Sequence, residues 1–442
     1  MTDLLCEISH KILSYDHLRT NGEQYKNNIG LALGKLGERE AGTGKLKEAA
    51  SAYESVLQAI DEKNDPIKWA KIQINISSAL CFIGDRLSDR STLEQALTAL
   101  LKAEEKISKD ENQFVWVTTQ VNQGLVLGML GERDLQSSKL FESVERLRGA
   151  LSVVSKNKQP VYWAYAKINL GHVLSILGDR LGDSTFYEDA GECYTEVLRD
   201  LTPEKAPMVW ARAQTNFGGL LPDLKSRGSV NSVLKESIEK LREALKHVTR
   251  ERDSFGWGSI QFNIASALHA LGDHEKGKRN IEEAIIIYQE VLTVFTFENV
   301  PYYWSKVQNN IGLALQSIAA RESSTTSLIR SMHAFREALR AESAETDPLR
   351  WAGSNINLAN SLSELSKRQE DRSPSLLALC ACLRAWDVFS KSDHIFHKKS
   401  VDLVETSLFQ VNFYDLTPAV ENHSFECHDL LVKFRDVKKN RM

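Results

Sequence analysis

No run of about 18 apolar residues occurs in the 442-residue chain, so no stretch of it is built to cross a bilayer as a helix. Cysteine is sparse. Cys6, Cys81, Cys193, Cys380, Cys382 and Cys427 show no framework of paired spacings, which excludes a disulfide-stapled scaffold and fits a reducing compartment. Neither sign of charge is in excess: 55 Lys and Arg stand against 59 Asp and Glu, interspersed along the chain, and the net charge of −4 favours no polyanion. The opening residues MTDLLCEISHKILSYDHL set Asp3, Glu7, His10 and Lys11 among the apolar positions and lack the unbroken apolar core of a signal peptide. The expectation is a cytoplasmic protein with neither membrane nor nucleic acid as its partner.

Catalytic and ligand-binding constellations are missing as well. The segment AGTGKL at Ala41 to Leu46 fails as a phosphate loop, because its first glycine is misplaced and Leu46 stands where Ser or Thr must meet the metal. Cys380 and Cys382 are two apart on a helical stretch and point in different directions, which does not suit a shared metal. His423, Cys427 and His428 are the remaining metal-type residues near one another, and no αβ scaffold exists to turn Cys427 and a histidine into a thiol protease. No enzyme, no metal and no cofactor is expected.

A period is present instead. Trp69, Trp116, Trp163, Trp210, Trp257, Trp304 and Trp351 follow one another at 47-residue steps, and six residues after each stands Asn75, Asn122, Asn169, Asn216, Asn263, Asn310 or Asn357. One step earlier lies Asn28, in an eighth copy whose Trp position is Gly22. A spacing without insertion or deletion is what a stacked solenoid requires, since each unit must dock on its neighbour in the same way.

Each unit holds two blocks with helical periodicity. Helix A is headed by the Trp and keeps apolar residues at +7, +11 and +14, as in Leu170, Leu174 and Leu177. Proline three residues before the Trp (Pro66, Pro160, Pro207, Pro301, Pro348) suits a first turn or the loop just before it. Helix A closes with Gly-acid-Arg, as in Gly37-Glu38-Arg39, Gly84-Asp85-Arg86, Gly131-Glu132-Arg133 and Gly178-Asp179-Arg180, where the glycine fits a C-terminal cap of positive φ. Helix B follows a polar loop, with Leu46, Ala49, Tyr53, Val56 and Leu57 as its stripe in the first unit. Small residues such as Ala164 with Gly171 and Ala211 with Gly218 allow a neighbouring helix to come close. The recurring Arg39, Arg86, Arg133, Arg180, Arg227, Arg321 and Arg368, with His274 in the remaining slot, sit at helix ends, where they can pair with acids or free carbonyls.

These residues carry a resemblance. Asn28, Ile29, Gly30, Leu36, Gly37, Ala49 and Tyr53 resemble the tetratricopeptide repeat, which usually has about 34 residues, in a longer variety common in bacterial proteins. The resemblance implies an all-α, right-handed α-solenoid of eight TPR-like helix-turn-helix repeats with helical caps. The expected division is an N-terminal capping helix over 1–20, repeats over 21–391 and a C-terminal helical cap and tail over 392–442. Two departures stand out: FGGLLPDLKSRGS places Pro222 inside helix A of the fifth unit, where a kink is expected, and the last unit closes with Ser366, Lys367 and Arg368.

For function the resemblance implies a protein-binding scaffold, with helix A lining the concave groove. The asparagines face away from the Trp stripe, roughly 240° around the helix. Two readings stand for Asn28, Asn75, Asn122, Asn169, Asn216, Asn263, Asn310 and Asn357: a ladder that grips the backbone of an extended peptide, as asparagines at this position do in some arrays of that family, or bonds to a neighbouring helix. The same face carries Phe82, Leu125, Met129 and Ile176, with Tyr165 and His172 beside them, either as a binding surface or buried against adjacent helices. Lys71, Arg212 and Lys306 at the +2 positions add positive charge, so the expected partner is a protein or peptide segment with apolar anchors and some acidic residues. The alternative is a sensor whose superhelix changes pitch on binding a small signalling peptide.

Overall fold

The computed structural model describes residues 19–220, 230–275, 277–323, 325–369, 373–410 and 425–439. The described residues form helices and no strands. The A helices are α1 (Arg19–Arg39), α3 (Pro66–Leu87), α5 (Gln113–Arg133), α7 (Pro160–Leu181), α9 (Pro207–Leu220), α11 (Ser254–Glu275), α13 (Pro301–Ala319) and α15 (Pro348–Gln369). The B helices are α2 (Gly44–Leu57), α4 (Arg90–Glu104), α6 (Ser138–Leu151), α8 (Ser184–Asp200), α10 (Val230–Leu245), α12 (Arg279–Val291), α14 (Thr326–Arg340) and α16 (Ser373–Phe389). Two further helices, α17 (Phe396–Gln410) and α18 (Phe425–Lys439), pack on α16. Of the capping helix expected over 1–20, residues 1–18 lie outside the described residues, as does the kink expected at Pro222, while residues 19 and 20 belong to α1.

Local chemistry sets the helix starts. The recurring prolines are the first residues of α3, α7, α9, α13 and α15, where the missing N–H removes no helical bond. Asp65 and Asn112 cap α3 and α5 by accepting from the N–H of Lys68 and of Val115, and Asp89 and Asp183 cap α4 and α8 in the same way. Trp69, Trp163, Trp210 and Trp304 are buried at the first turn of their helices. Each A helix packs on its own B helix and on the B helix before it, so the A helices form an inner layer and the B helices an outer one.

The closing glycines correct the sequence reading. Gly37, Gly84, Gly131 and Gly178 lie inside their helices, and the left-handed residues among those described are Ser88 (φ 55°) and Gly182 (φ 70°). What requires glycine is contact. A Cβ on Gly84 would lie 2.8 Å from Leu93 Cγ, and on Gly131 2.8 Å from Leu140 Cδ2 and 2.9 Å from its backbone nitrogen. Where glycine stands two residues after the asparagine it serves helix B in the same way: a Cβ on Gly30 would meet Tyr53 at 2.5 Å and on Gly312 would meet Phe335 at 2.5 Å.

Among the described residues, five of the arginines that close A helices reach back to the preceding A helix. Arg86 donates to the carbonyls of Gly37 (2.6 Å), Glu38 (2.9 Å) and Gly42 (2.8 Å). Arg180 does the same to Glu132 and Gln136, Arg321 to Gly272 and Asp273, and Arg368 to Ala319 and Glu322. Arg133, with its side chain fully buried, bonds the Asp85 carboxylate at 2.9 Å. Helix-end carbonyls have no partner within their own helix, and a five-donor fork satisfies several at once.

With rotation between units fixed this way, the array closes on itself. Helix α11 meets α1, α13 meets α3 and α15 meets α5, each five repeats away. The start of an A helix in the upper turn rests on the end of an A helix in the lower one. Ser254 Oγ donates to the Arg39 carbonyl and accepts from the Ala41 N–H. The segment after α16 continues this seam where a ninth repeat would begin: Ile395 N–H donates to the Arg180 carbonyl at 2.9 Å, and the Asp393 carboxylate accepts from the Ser137 N–H at 2.8 Å.

Gly131→Ala is expected to lower stability by about 1–3 kcal/mol through overpacking, although alanine is the better helix former. Gly149→Ala in α6, where nothing lies within 4 Å of the added Cβ, is expected to raise it by up to about 1 kcal/mol. Urea unfolding of the two variants checks both signs; a gain at Gly131 would remove the close-approach account.

Candidate binding cleft at the mouth of the superhelix

The inner face holds the residues singled out in the sequence, and the structure separates them into groups. The asparagine side chains join consecutive A helices. Asn122 Nδ2 donates to Ser78 Oγ (3.2 Å), Asn263 to the Thr215 carbonyl (2.9 Å), Asn310 to Ser266 Oγ (3.3 Å) and Asn357 to Asn309 Oδ1 (3.0 Å). Asn75 reaches Asn27 Oδ1 at 3.5 Å, Asn216 bonds the Tyr194 hydroxyl, Asn169 is buried, and Asn28 is exposed and accepts from Gln24. An amide has two N–H groups and a carbonyl; Asn310 uses its Nδ2 for both Ser266 Oγ and the Tyr288 hydroxyl.

Phe82, Leu125, Met129, Tyr165 and Ile176 are half-buried. Leu125 and Met129 pack against the core of the second and third repeats, Tyr165 and Ile176 against that of the third to fifth, and Met129 Sδ lies 3.4 Å from Cys81 Sγ. His172 touches solvent, yet the walls of the lumen crowd it: burial pushes its imidazole below the usual range, Glu132 opposes that shift, and Lys306 and Arg212 add to it. Arg212 is half-buried on the same inner face.

Acids of the lower turn meet aromatic residues of the upper turn at the seam. Tyr303 donates to Asp85 at 2.5 Å and Tyr302 to Glu132 at 2.8 Å, while Lys306 pairs with Glu132 at 3.3 Å. The arginines beside these acids lie under rings, with Arg86 4.5 Å from the centroid of Phe255 and Arg133 4.3 Å from that of Tyr302. Burial would raise the Glu132 carboxyl, but Lys306, Arg133, His172 and the Tyr302 hydroxyl outweigh it and hold the group well below the usual carboxylate range.

Among the described residues, no turn is stacked on the starts of the A helices in the first four repeats, which form a free rim. There a cleft of about 540 Å³ opens between α1, α3, α5 and α7. Its walls include Asn27, Lys71 and Asn75 on one side and Phe114, Thr118 and Tyr162 on the other. Phe114 is 44% exposed and meets Tyr162 edge to face, ring centroids 4.8 Å apart. Lys68 is held by Glu23 at 2.6 Å, whereas Lys71 is exposed and has no ion pair among the described residues.

Of the residues picked from sequence, Lys71 and Asn75 reach this cleft, and the others lie elsewhere along the inner face. Phe114 and Tyr162 escaped notice because they occupy the two positions before the Trp, off the stripe defined by the asparagines. A signal existed: the same slots hold Phe255, Tyr302 and Tyr303 in repeats six and seven, and aromatics recurring there are not needed for the Trp-headed core.

No family model matches the chain, and no curated protein sequence does. Among solved structures, the human IFIT1 dimer with PPP-AAAA is similar at 14% identity and a TM-score of 0.52, covering 92% of this chain and 77% of that one. A Rap protein complexed with Competence and Sporulation Factor gives 10% identity and a TM-score of 0.48 over 88% of this chain and 99% of that one, and the apo form of RapI 15% and 0.45 over 75% and 99%. At these identities the likeness concerns fold: the array is a TPR-like α-solenoid. Among the described residues no helix is long and apolar enough to cross a membrane, and no group of His, Cys, Asp and Glu is placed to hold a metal.

Because the folded Glu132 carboxyl titrates below its unfolded value of about 4.3, its contribution to the seam is complete above that pH and lost as the pH falls through the lower, folded value. Glu132→Gln is therefore expected to weaken the seam at neutral pH by about 1–3 kcal/mol and to increase the radius of gyration in X-ray scattering. An unchanged scattering curve and melting temperature would show that the two turns are held without it.

Proposed function

We propose that the chain is a non-catalytic, cytoplasmic interaction scaffold that takes a segment of a partner protein into the cleft at its free rim. The observation that carries this reading is the Phe114–Tyr162 pair, two aromatic rings left accessible beside an unpaired lysine in a concave site. Aromatic anchors in a recess dominate the energetics of protein interfaces, and a rim of amides orients a chain without selecting its side chains. The segment has an anchoring side chain for the ring pair, backbone groups for Asn27, Asn75 and Thr118, an acidic residue for Lys71, and apolar anchors for the inner face beyond. From the mouth it continues along the inner face past Phe82, Leu125, Met129, Tyr165, His172, Ile176 and Arg212, where the remaining amide groups of Asn28, Asn122, Asn169, Asn216, Asn263, Asn310 and Asn357 form the ladder.

A second reading, in which binding changes the superhelix pitch, is supported by the seam. Its contacts include hydrogen bonds and ion pairs between turns, which a ligand in the lumen can replace one for one.

Phe114→Ala is expected to weaken capture of the partner by about 1–3 kcal/mol, roughly 5- to 100-fold, with the melting temperature little changed because the ring is exposed. A photoreactive phenylalanine at position 162 should cross-link the same partner, and one at Phe141 on the outer layer should not. Equal capture by wild type and Phe114→Ala, with cross-linking at 141 alone, would move the site to the convex side.

A further inference from the structure

We infer that the segment bound at the free rim presents an acidic residue followed directly by arginine. This rests on the cleft reading above and names the chemistry of its partner. The argument comes from a contact the chain already makes with itself. In the upper turn, the two positions before the Trp and the one two residues after it form a docking face: Phe255, Tyr302 and Tyr303 in the first set and Lys306 in the second. That face rests on acid-Arg dipeptides at the ends of lower-turn A helices. With Glu132-Arg133, the ring of Tyr302 lies over the guanidinium at 4.3 Å, its hydroxyl donates to the carboxylate at 2.8 Å, and Lys306 pairs with that carboxylate at 3.3 Å. With Asp85-Arg86, Phe255 takes the guanidinium at 4.5 Å and Tyr303 the carboxylate at 2.5 Å.

The free rim carries the same kinds of residue at these positions, drawn from three repeats, and among the described residues no helix end rests on them. Phe114 and Tyr162 occupy the positions before the Trp in repeats three and four, and Lys71 the position after it in repeat two, all three on the walls of one cleft. Rings, hydroxyl and ammonium are thus arranged in kind as in the seam. A ring takes a guanidinium by cation–π attraction, and a hydroxyl and an ammonium take the neighbouring carboxylate. Among the described A-helix ends of the upper turn, Asp273-His274, Ala320-Arg321 and Lys367-Arg368 join no acid to arginine, so a second copy of this chain does not offer the pair there.

Panning a phage-displayed random dodecapeptide library against the full chain tests the proposal. Wild type is expected to enrich Asp-Arg and Glu-Arg dipeptides severalfold over the unselected library. Phe114→Ala with Tyr162→Ala should return arginine to library frequency, and Lys71→Glu should lose the acidic preference and keep the arginine. Peptides whose selection depends on Phe114 and Tyr162 but which carry no acid-Arg dipeptide would overturn this inference and leave the cleft standing as a binding site. Selection unaltered by the double substitution would overturn the cleft itself, and melting curves of each variant separate either result from loss of fold.

Discussion

The architecture depends on one grip: Arg86, Arg133, Arg180, Arg321 and Arg368, at the ends of their repeats' A helices, hold carbonyl groups at the end of the A helix before. Those carbonyls have no partner of their own, and a planar guanidinium bonds several of them only from one direction. The contact therefore sets the angle between neighbouring repeats as well as joining them. Arg86, Arg180, Arg321 and Arg368 make it in much the same way, and Arg133 adds a buried ion pair with Asp85. A small rotation repeated without variation brings repeat six over repeat one. The seam between turns is the sum of these rotations.

Close packing of the two layers makes that rotation reproducible. Glycines such as Gly30, Gly84, Gly124, Gly131, Gly171 and Gly312 each admit one large residue of helix B, so the pair meets in a single register. The asparagines then link consecutive A helices on the inner side, opposite the arginine grip at the helix ends. A unit held at its core, its inner face and its end has little freedom to roll, which is why the seam can rest on a few polar contacts.

The two rims of the superhelix differ in consequence. The Gly-acid-Arg closure is intact in repeats one to four, whose helix ends carry the upper turn or the segment around Asp393. It reads Ala319-Ala320-Arg321 and Ser366-Lys367-Arg368 in the last two repeats, where the arginine still grips the previous A helix. Asp85 and Glu132 are the acids that meet a tyrosine of the following turn. At the opposite rim Phe114 and Tyr162 stand in the equivalent positions, and among the described residues no acid-Arg dipeptide of another turn rests on them.

The sequence alone determined the period, the two-helix unit, the helix starts at proline and the inward Trp, because each depends on contacts within 47 residues that every unit repeats. It also placed the asparagines and arginines on definite faces. It could not tell that the closing glycines serve packing rather than a turn, since a cap and a close approach call for the same residue. Nor could it show that Phe114 and Tyr162 stay accessible while Tyr302 and Tyr303, in equivalent slots, are covered. That difference arises five repeats away along the chain, and only the superhelical pitch decides which helix ends meet and which remain free.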